Sequence, residues 1–137
     1  SINNDNNFIF FDKLKKNEFK FLYLLGADEI KFTKSENMFV VYQGSHGDKG
    51  ADAADLILPG ADYTEKNGSF INLEGRLQKT YRASYPPGEA KEDWKILKEI
   101  SLKMKKNIGF ADEKELTKNL YEEFNLYQII EFERDYF

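Results

Sequence analysis

The residues best placed for chemistry lie in one loop, Gly44-Ser45-His46-Gly47-Asp48-Lys49-Gly50, where the single histidine stands two residues from a carboxylate among three glycines. An imidazole beside a carboxylate can serve as a general base or a metal ligand, but either role needs further ligands converging on it, and the sequence offers only scattered carboxylates. The loop suits a second chemistry. Consecutive backbone N–H groups after a strand can cradle a phosphate, with Gly44, His46, Gly47, Asp48 and Gly50 as the binding positions. Against this, the loop lacks the Gly-Lys-Ser/Thr ending of a P-loop and the full spacing of a dinucleotide fingerprint. The carboxylates Asp52, Asp55, Glu65 and Glu74 are spread over turns. Buried acids need an arginine or backbone partner, so a pairing of Glu65 or Glu74 with Arg76 reads as holding the fold and not as catalysis. One histidine cannot supply a Ser/His/Asp triad, and no catalytic or metal-ligating residue is assigned.

The elements around this loop follow from local pattern. Phe39-Val40-Val41-Tyr42 is a β-branched and aromatic run, expected as a buried strand that opens into the glycine loop. Ala51 to Asp55 can make one helical turn. Leu56-Ile57-Leu58 is a second strand, closed by Pro59-Gly60, a pair expected to end the sheet. Thr64 to Gly68 reads as a polar turn, Ser69 to Leu73 as a third extended piece, and Glu74-Gly75-Arg76 as another turn.

Upstream, residues 1–7 are rich in asparagine and read as loose, and Phe8-Ile9-Phe10-Phe11 is too apolar to be left in water. That run packs either on this domain or on a neighbouring chain. Lys13 to Lys16 reads as a solvated turn. Phe19 to Leu25 is expected as a central parallel strand ended by Gly26, and the stretch from Gly26 to Asn37 leaves room only for a short helix or none. Downstream of Pro86-Pro87, the segment Glu89 to Lys106 predicts an amphipathic helix with Trp94, Leu97, Ile100, Ser101 and Met104 on one face. Acids fill its start and lysines its end, complementing the helix dipole. Asp112 and Glu115 read as a capping pair for a second helix that carries Leu116 and Leu120 towards Phe124. Tyr127 to Phe137 mixes aromatics with acids, either as an arm on a partner or as a tail folded back.

The runs LLGADE (Leu24 to Glu29), VYQGSHGDKGA (Val41 to Ala51), ADLILPGADYTEKNG (Ala54 to Gly68), NLEGRLQ (Asn72 to Gln78) and PPGEAKEDWKIL (Pro86 to Leu97) follow one another in order. Together they resemble the last part of the molybdopterin-oxidoreductase-like domain, and more closely its version in the large iron–sulfur subunit of respiratory complex I, the NADH:ubiquinone oxidoreductase. The resemblance covers roughly Phe19 to Tyr127. It implies an α/β fold, a fragment of a Rossmann-like domain with a short, mostly parallel sheet and flanking helices. It also implies that Asp55, Pro59, Glu65, Gly68, Asn72, Glu74, Gly75, Arg76 and Trp94 are structural positions. The chain divides accordingly into a polar and aromatic segment 1–18, the α/β domain 19–106, and a helix and tail 107–137.

The family subunit is several times longer and opens with cysteine-rich cluster domains, whereas this chain has no cysteine. Iron–sulfur clusters need thiolate or histidine ligands, so they are expected on partner chains. At 137 residues there is room for one modest core that buries roughly two thirds of the unfolded surface. A hydrophobic fraction of 41% excludes disorder, and 24 acids against 20 bases give no nucleic-acid footprint. No apolar run reaches the roughly 20 residues of a membrane span, and the N-terminus lacks a secretory signal pattern.

The resemblance implies a non-catalytic component of complex I that binds no cofactor of its own. It would complete the large iron–sulfur subunit in the peripheral arm, on the matrix side of the mitochondrial inner membrane, and touch the membrane only through the complex. The alternatives are the terminal piece of an active molybdopterin-dependent oxidoreductase and a small phosphate- or nucleotide-binding module.

Overall fold

Residues 4–74 and 76–124 are described by a computed structural model. They form α1 (Asn4–Lys15), β1 (Phe21–Leu25), β2 (Phe39–Gly44), α2 (Lys49–Asp52), β3 (Leu56–Pro59), β4 (Gly68–Ile71), β5 (Leu77–Thr80), α3 (Asp93–Lys103) and α4 (Glu113–Glu123). The segment from Tyr127 onward lies outside the described residues, as does Gly75. Among the described residues no helix is long and apolar enough to cross a membrane. The fold is α/β, as expected, but it divides into two compact units, residues 1–62 with 87–93 and residues 63–86 with 94–137.

The first unit carries a parallel sheet in the order β1-β2-β3. Its register sets Phe21 beside Phe39, Leu25 beside Gln43, and Val41 beside Leu56. Alternation along the strands sends Leu22, Leu24, Val40 and Tyr42 to one face, where they join Leu14 and Met38 in a buried cluster. Both strand connections pack there, through Ala27, Ile30 and Phe32 of the first and Ala51 and Ala54 of the second. A sheet in sequential order with crossovers of one hand places its connections on one face. β1 is an edge strand here, not the central one expected.

The N-terminus also differs from expectation. Asn4 already belongs to α1, and the expected solvated turn at Lys13 to Lys16 is its last turn, with Leu14 buried and only 3% exposed. The helix ends in a Schellman motif: Asn17 takes a left-handed φ of 55°, while the Asn17 and Glu18 amides donate to the Leu14 and Lys13 carbonyls. Phe10 packs on this unit's core against Phe19, ring centroids 5.4 Å apart, while Ile9 and Phe11 stay exposed.

Pro59 does not end the sheet as expected. It closes β3 in the strand, its carbonyl accepts from the Lys91 amide, and Gly60 bridges Lys91 in parallel. Proline tolerates this at an edge because its missing N–H faces outward. The single helical turn lies at Lys49–Asp52, earlier than the expected Ala51 to Asp55, because Asp48 begins it.

The second unit is an antiparallel hairpin, β4 with β5, and two helices. β5 was not foreseen as a strand, and Leu77 on it is buried with Tyr121 of α4 in a second small core instead of the one core expected. The Asn72 side chain shapes the turn, its Oδ1 accepting from the amides of Glu74 at 3.0 Å and Arg76 at 2.9 Å. α3 is shorter than the expected Glu89 to Lys106. Its buried residue is Ile96, whereas Met104 lies past its end and is 65% exposed. Trp94 is half-buried and meets Phe110 edge-on at 6.2 Å. The capping pair is found at α4: Asp112 accepts from the Glu115 amide at 2.9 Å, and the Glu115 carboxylate accepts from the Ala111 amide at 2.6 Å.

Candidate functional site

A cleft of about 630 Å³ opens at the carboxyl ends of β1 and β2, lined by residues 26–30 and 46–48. Open parallel sheets bind ligands at this end, so it is the first place to look for chemistry. Two loops build it. Gly26, with φ of 60°, turns the chain out of β1, a conformation that glycine adopts without a Cβ penalty. The glycine loop leaves β2 at Gly44 and enters α2 at Lys49.

The two loops are closed onto each other by Tyr42. Its hydroxyl lies within hydrogen-bonding reach of both the Asp28 carboxylate and the His46 carbonyl, and its one proton serves one of them at a time. Burial, then the hydrogen bond to Asp28 and the charges of Asp28 and Asp48, push the Tyr42 phenol far above its ordinary value. Gly50 is buried, and its lack of a Cβ allows the close approach, since a Cβ there would stand 2.7 Å from the Ala27 carbonyl oxygen. The candidate ligand loop is thus packed against its neighbour.

Its chemistry runs against a phosphate. Asp28, Glu29 and Asp48 line the cleft, with no lysine or arginine among the lining residues. Of the candidate positions, Gly50 has its amide turned to the Asp28 carbonyl at 3.4 Å, while the amides of Ala51 and Asp52 close the turn of α2 on the Asp48 carbonyl. His46 is exposed, its Nδ1 2.9 Å from the Ser45 hydroxyl. Among the described residues no three His, Asp or Glu side chains come together as a metal-binding group.

The remaining sequence candidates fall into two places. In the first unit, Asp55 clamps β3 to β2: its amide donates to the Val40 carbonyl at 2.8 Å and its carboxylate accepts from the Val40 amide at 2.7 Å and pairs with Lys34. Lys34, and after it the Val40 amide, hold the Asp55 carboxyl below the usual range. In the second unit, Gly68 starts β4, where a Cβ would meet the Phe70 ring at 2.8 Å, and Glu65 is half-buried. Glu74 and Arg76 are exposed at the hairpin turn, where the organising group is Asn72 and not a buried carboxylate.

Sequence reasoning missed the polar chain on the other sheet face. Tyr23 donates to Gln43 Oε1, and Gln43 Nε2 donates to the Asp93 carboxylate at 2.9 Å. Gln43 is fully buried, and the available signal was a polar residue continuing the alternation of a strand. Burial, and then the Asp93 charge, raise the Tyr23 phenol above its ordinary range.

The 75 kDa subunit of NADH-ubiquinone oxidoreductase from Reclinomonas americana is 53% identical over 95 residues, which are 69% of this chain and 14% of that relative. An NADH-quinone oxidoreductase subunit from Rickettsia felis is 45% identical over 118 residues, 86% of this chain and 18% of the relative. The mitochondrial 78 kDa subunit of NADH-ubiquinone oxidoreductase from Candida albicans is 53% identical over 94 residues, 68% of this chain and 13% of the relative. The chain spans less than a fifth of the length of these curated relatives. The family described as Molybdopterin oxidoreductase matches residues 2–103, a span that holds the five strands of the described residues and runs to the last residue of α3. On that match the chain belongs to the molybdopterin oxidoreductase family.

Proposed function

We propose that this chain is a non-catalytic, structural part of the large iron–sulfur subunit of respiratory complex I, in the peripheral arm on the matrix side of the mitochondrial inner membrane. It completes the subunit and supports electron transfer from NADH to quinone without carrying a redox centre. The partners that follow are the rest of that subunit and its peripheral-arm neighbours, which hold the iron–sulfur clusters.

The observation that carries this reading is the acidic lining of the cleft at the strand ends. The cofactor expected of the family is a pterin with phosphate groups, and these residues do not fit it: Asp28, Glu29 and Asp48 repel an anion, and the Gly50 amide is spent on the Asp28 carbonyl. The chain also holds no cysteine, so no thiolate of its own can ligate a metal or a cluster. The relatives that carry NADH-ubiquinone oxidoreductase in their names support the assignment to that complex.

The test is native electrophoresis of gently solubilised membranes, with mass spectrometry locating the chain and an NADH-oxidation stain on the same lane. The expected result is co-migration with a large NADH-oxidising band that also contains cysteine-rich iron–sulfur polypeptides. Migration apart from that band overturns the assignment. Molybdenum or tungsten with a pterin, bound stoichiometrically to this chain, overturns the non-catalytic reading.

A further inference from the structure

We infer that a lysine-rimmed pocket at the end of α3 binds the chain's own acidic and aromatic segment, Glu131-Phe132-Glu133-Arg134-Asp135-Tyr136-Phe137. The inference goes beyond the proposed function and does not depend on it, because pocket and occupant belong to one polypeptide.

The pocket has a volume of about 280 Å³, with Lys98, Lys105 and Lys106 among its lining and Leu102, Ile108 and Phe110 supplying its apolar part. A Schellman motif shapes it: the Lys106 amide donates to the Ser101 carbonyl at 2.8 Å and the Lys105 amide to the Leu102 carbonyl at 3.0 Å. The left-handed position of that motif is usually a glycine, yet Lys105 holds it with φ of 55°. Such an outlier in a residue that has a Cβ points to a use for the side chain. Lys98 is spent on the Ala111 carbonyl, whereas among the described residues neither Lys105 nor Lys106 meets a carboxylate. The helix dipole accounts for lysines at this end, but not for the apolar groups left beside them, Leu102 being 64% exposed.

Two such cations around an apolar floor fit a partner that carries acids and aromatic rings together. Residues 131–137 do so, with Glu131, Glu133 and Asp135 against Arg134 alone, interleaved with Phe132, Tyr136 and Phe137. Reach favours this occupant. Asn119 of α4 donates to the Gly109 carbonyl at 3.3 Å, so the pocket loop lies beside that helix. Phe124 follows five residues later, about 8 Å along the axis, and residues 125–130 can bridge about 20 Å when extended. Tethering also raises the local concentration to the order of millimolar, so weak surface pairs suffice.

The experiment uses the full chain in the assembly that holds it. The photo-reactive residue p-benzoyl-phenylalanine replaces Phe132 or Tyr136. After irradiation, the native-gel band containing the chain is excised, whatever else it contains, and cross-linked peptides are mapped by mass spectrometry. The expected result is a link from at least one of the two positions to residues 98–110, in a product the size of one chain. Lys105→Glu with Lys106→Glu, both at exposed positions, should lower the yield of that link about tenfold, as two attractions become repulsions. Adding Glu131→Lys and Glu133→Lys should restore it, which a merely misfolded variant would not show. Links only to other parts of the chain, to a second copy or to another polypeptide overturn the inference. So do the absence of any link, a yield that the reversals leave unchanged, and a loss that the second pair does not restore. Absence of the chain from an NADH-oxidising band overturns the proposed function alone.

Discussion

The Gln43 amide, wholly buried, donates to the Asp93 carboxylate 2.9 Å away and ties the middle strand of the sheet to a segment fifty residues further along. Tyr23 adds its proton from the neighbouring strand, so three side chains fix one sheet face to the strap at residues 87–93. Leucine at position 43 keeps the volume and leaves the Tyr23 hydroxyl without its acceptor. Gln43→Leu is expected to cost about 1–3 kcal/mol, read as a lower urea midpoint at unchanged slope. A midpoint equal to the wild type would deny the network its role.

Two glycines of the same loop should answer differently to one methyl group. Gly50→Ala drives a Cβ to 2.7 Å from the Ala27 carbonyl, a backbone atom that cannot swing aside, and is expected to cost about 1–3 kcal/mol. At Gly47 the nearest atom is the Ala51 Cβ at 3.8 Å, and Gly47→Ala should stay within about 0.5 kcal/mol. Thermal unfolding of the two variants side by side decides the matter.

Tyr42 makes the first unit sensitive to alkali. Its folded pKa lies above the unfolded value of 10.0, so its contribution is complete below that value and is lost as pH rises towards the folded one. Removing a hydroxyl bonded to a carboxylate, Tyr42→Phe, is expected to cost about 1.5–3 kcal/mol at neutral pH. The variant should also lose less stability than the wild type when both are titrated above pH 10, an identical alkaline limb being the contrary result.

Asp55 works in the opposite direction. Its folded pKa is below the unfolded value of 3.8, so its contribution is complete above that value and disappears as pH falls through the lower, folded one. Asp55→Asn should therefore be less stable than the wild type near neutrality and should show a shallower acid limb. Urea midpoints measured from neutral pH down to about pH 2 would reveal an unchanged limb if Lys34 were irrelevant.

In the second unit, Asp112→Ala removes the N-cap of α4 and is expected to cost about 1 kcal/mol. Amide hydrogen exchange should accelerate at Glu115 first, because its N–H loses the Asp112 oxygen. Uniform acceleration along the whole helix would point to packing instead.

Much of the fold was legible wherever local pattern and packing agree. The β2 run, the left-handed Gly26, the helix-free stretch after it and the Asp112–Glu115 cap all follow from side-chain alternation, φ preference and capping chemistry. The failures have physical causes. α1 was hidden because its asparagines are poor helix formers and because the packing of Leu14 and Phe10 on the core depends on tertiary neighbours. The α3 face was misjudged because the burial of Ile96 depends on tertiary neighbours and not on period alone. Of the site, the loop was visible but its acidity was not, since Asp28 and Asp48 meet only when two strand ends come together.

The strap at residues 87–93 also sets a timetable. The first unit is interrupted in sequence, its sheet made before Asp62 and its last piece arriving only at Asp93. On the ribosome, β1, β2 and β3 emerge together while the acceptor for the Gln43 amide is still unmade, and synthesis of the intervening stretch lasts on the order of seconds. Until then the nascent sheet keeps a polar group waiting beside exposed phenylalanines, the kind of transient surface that chaperones shield from misassembly.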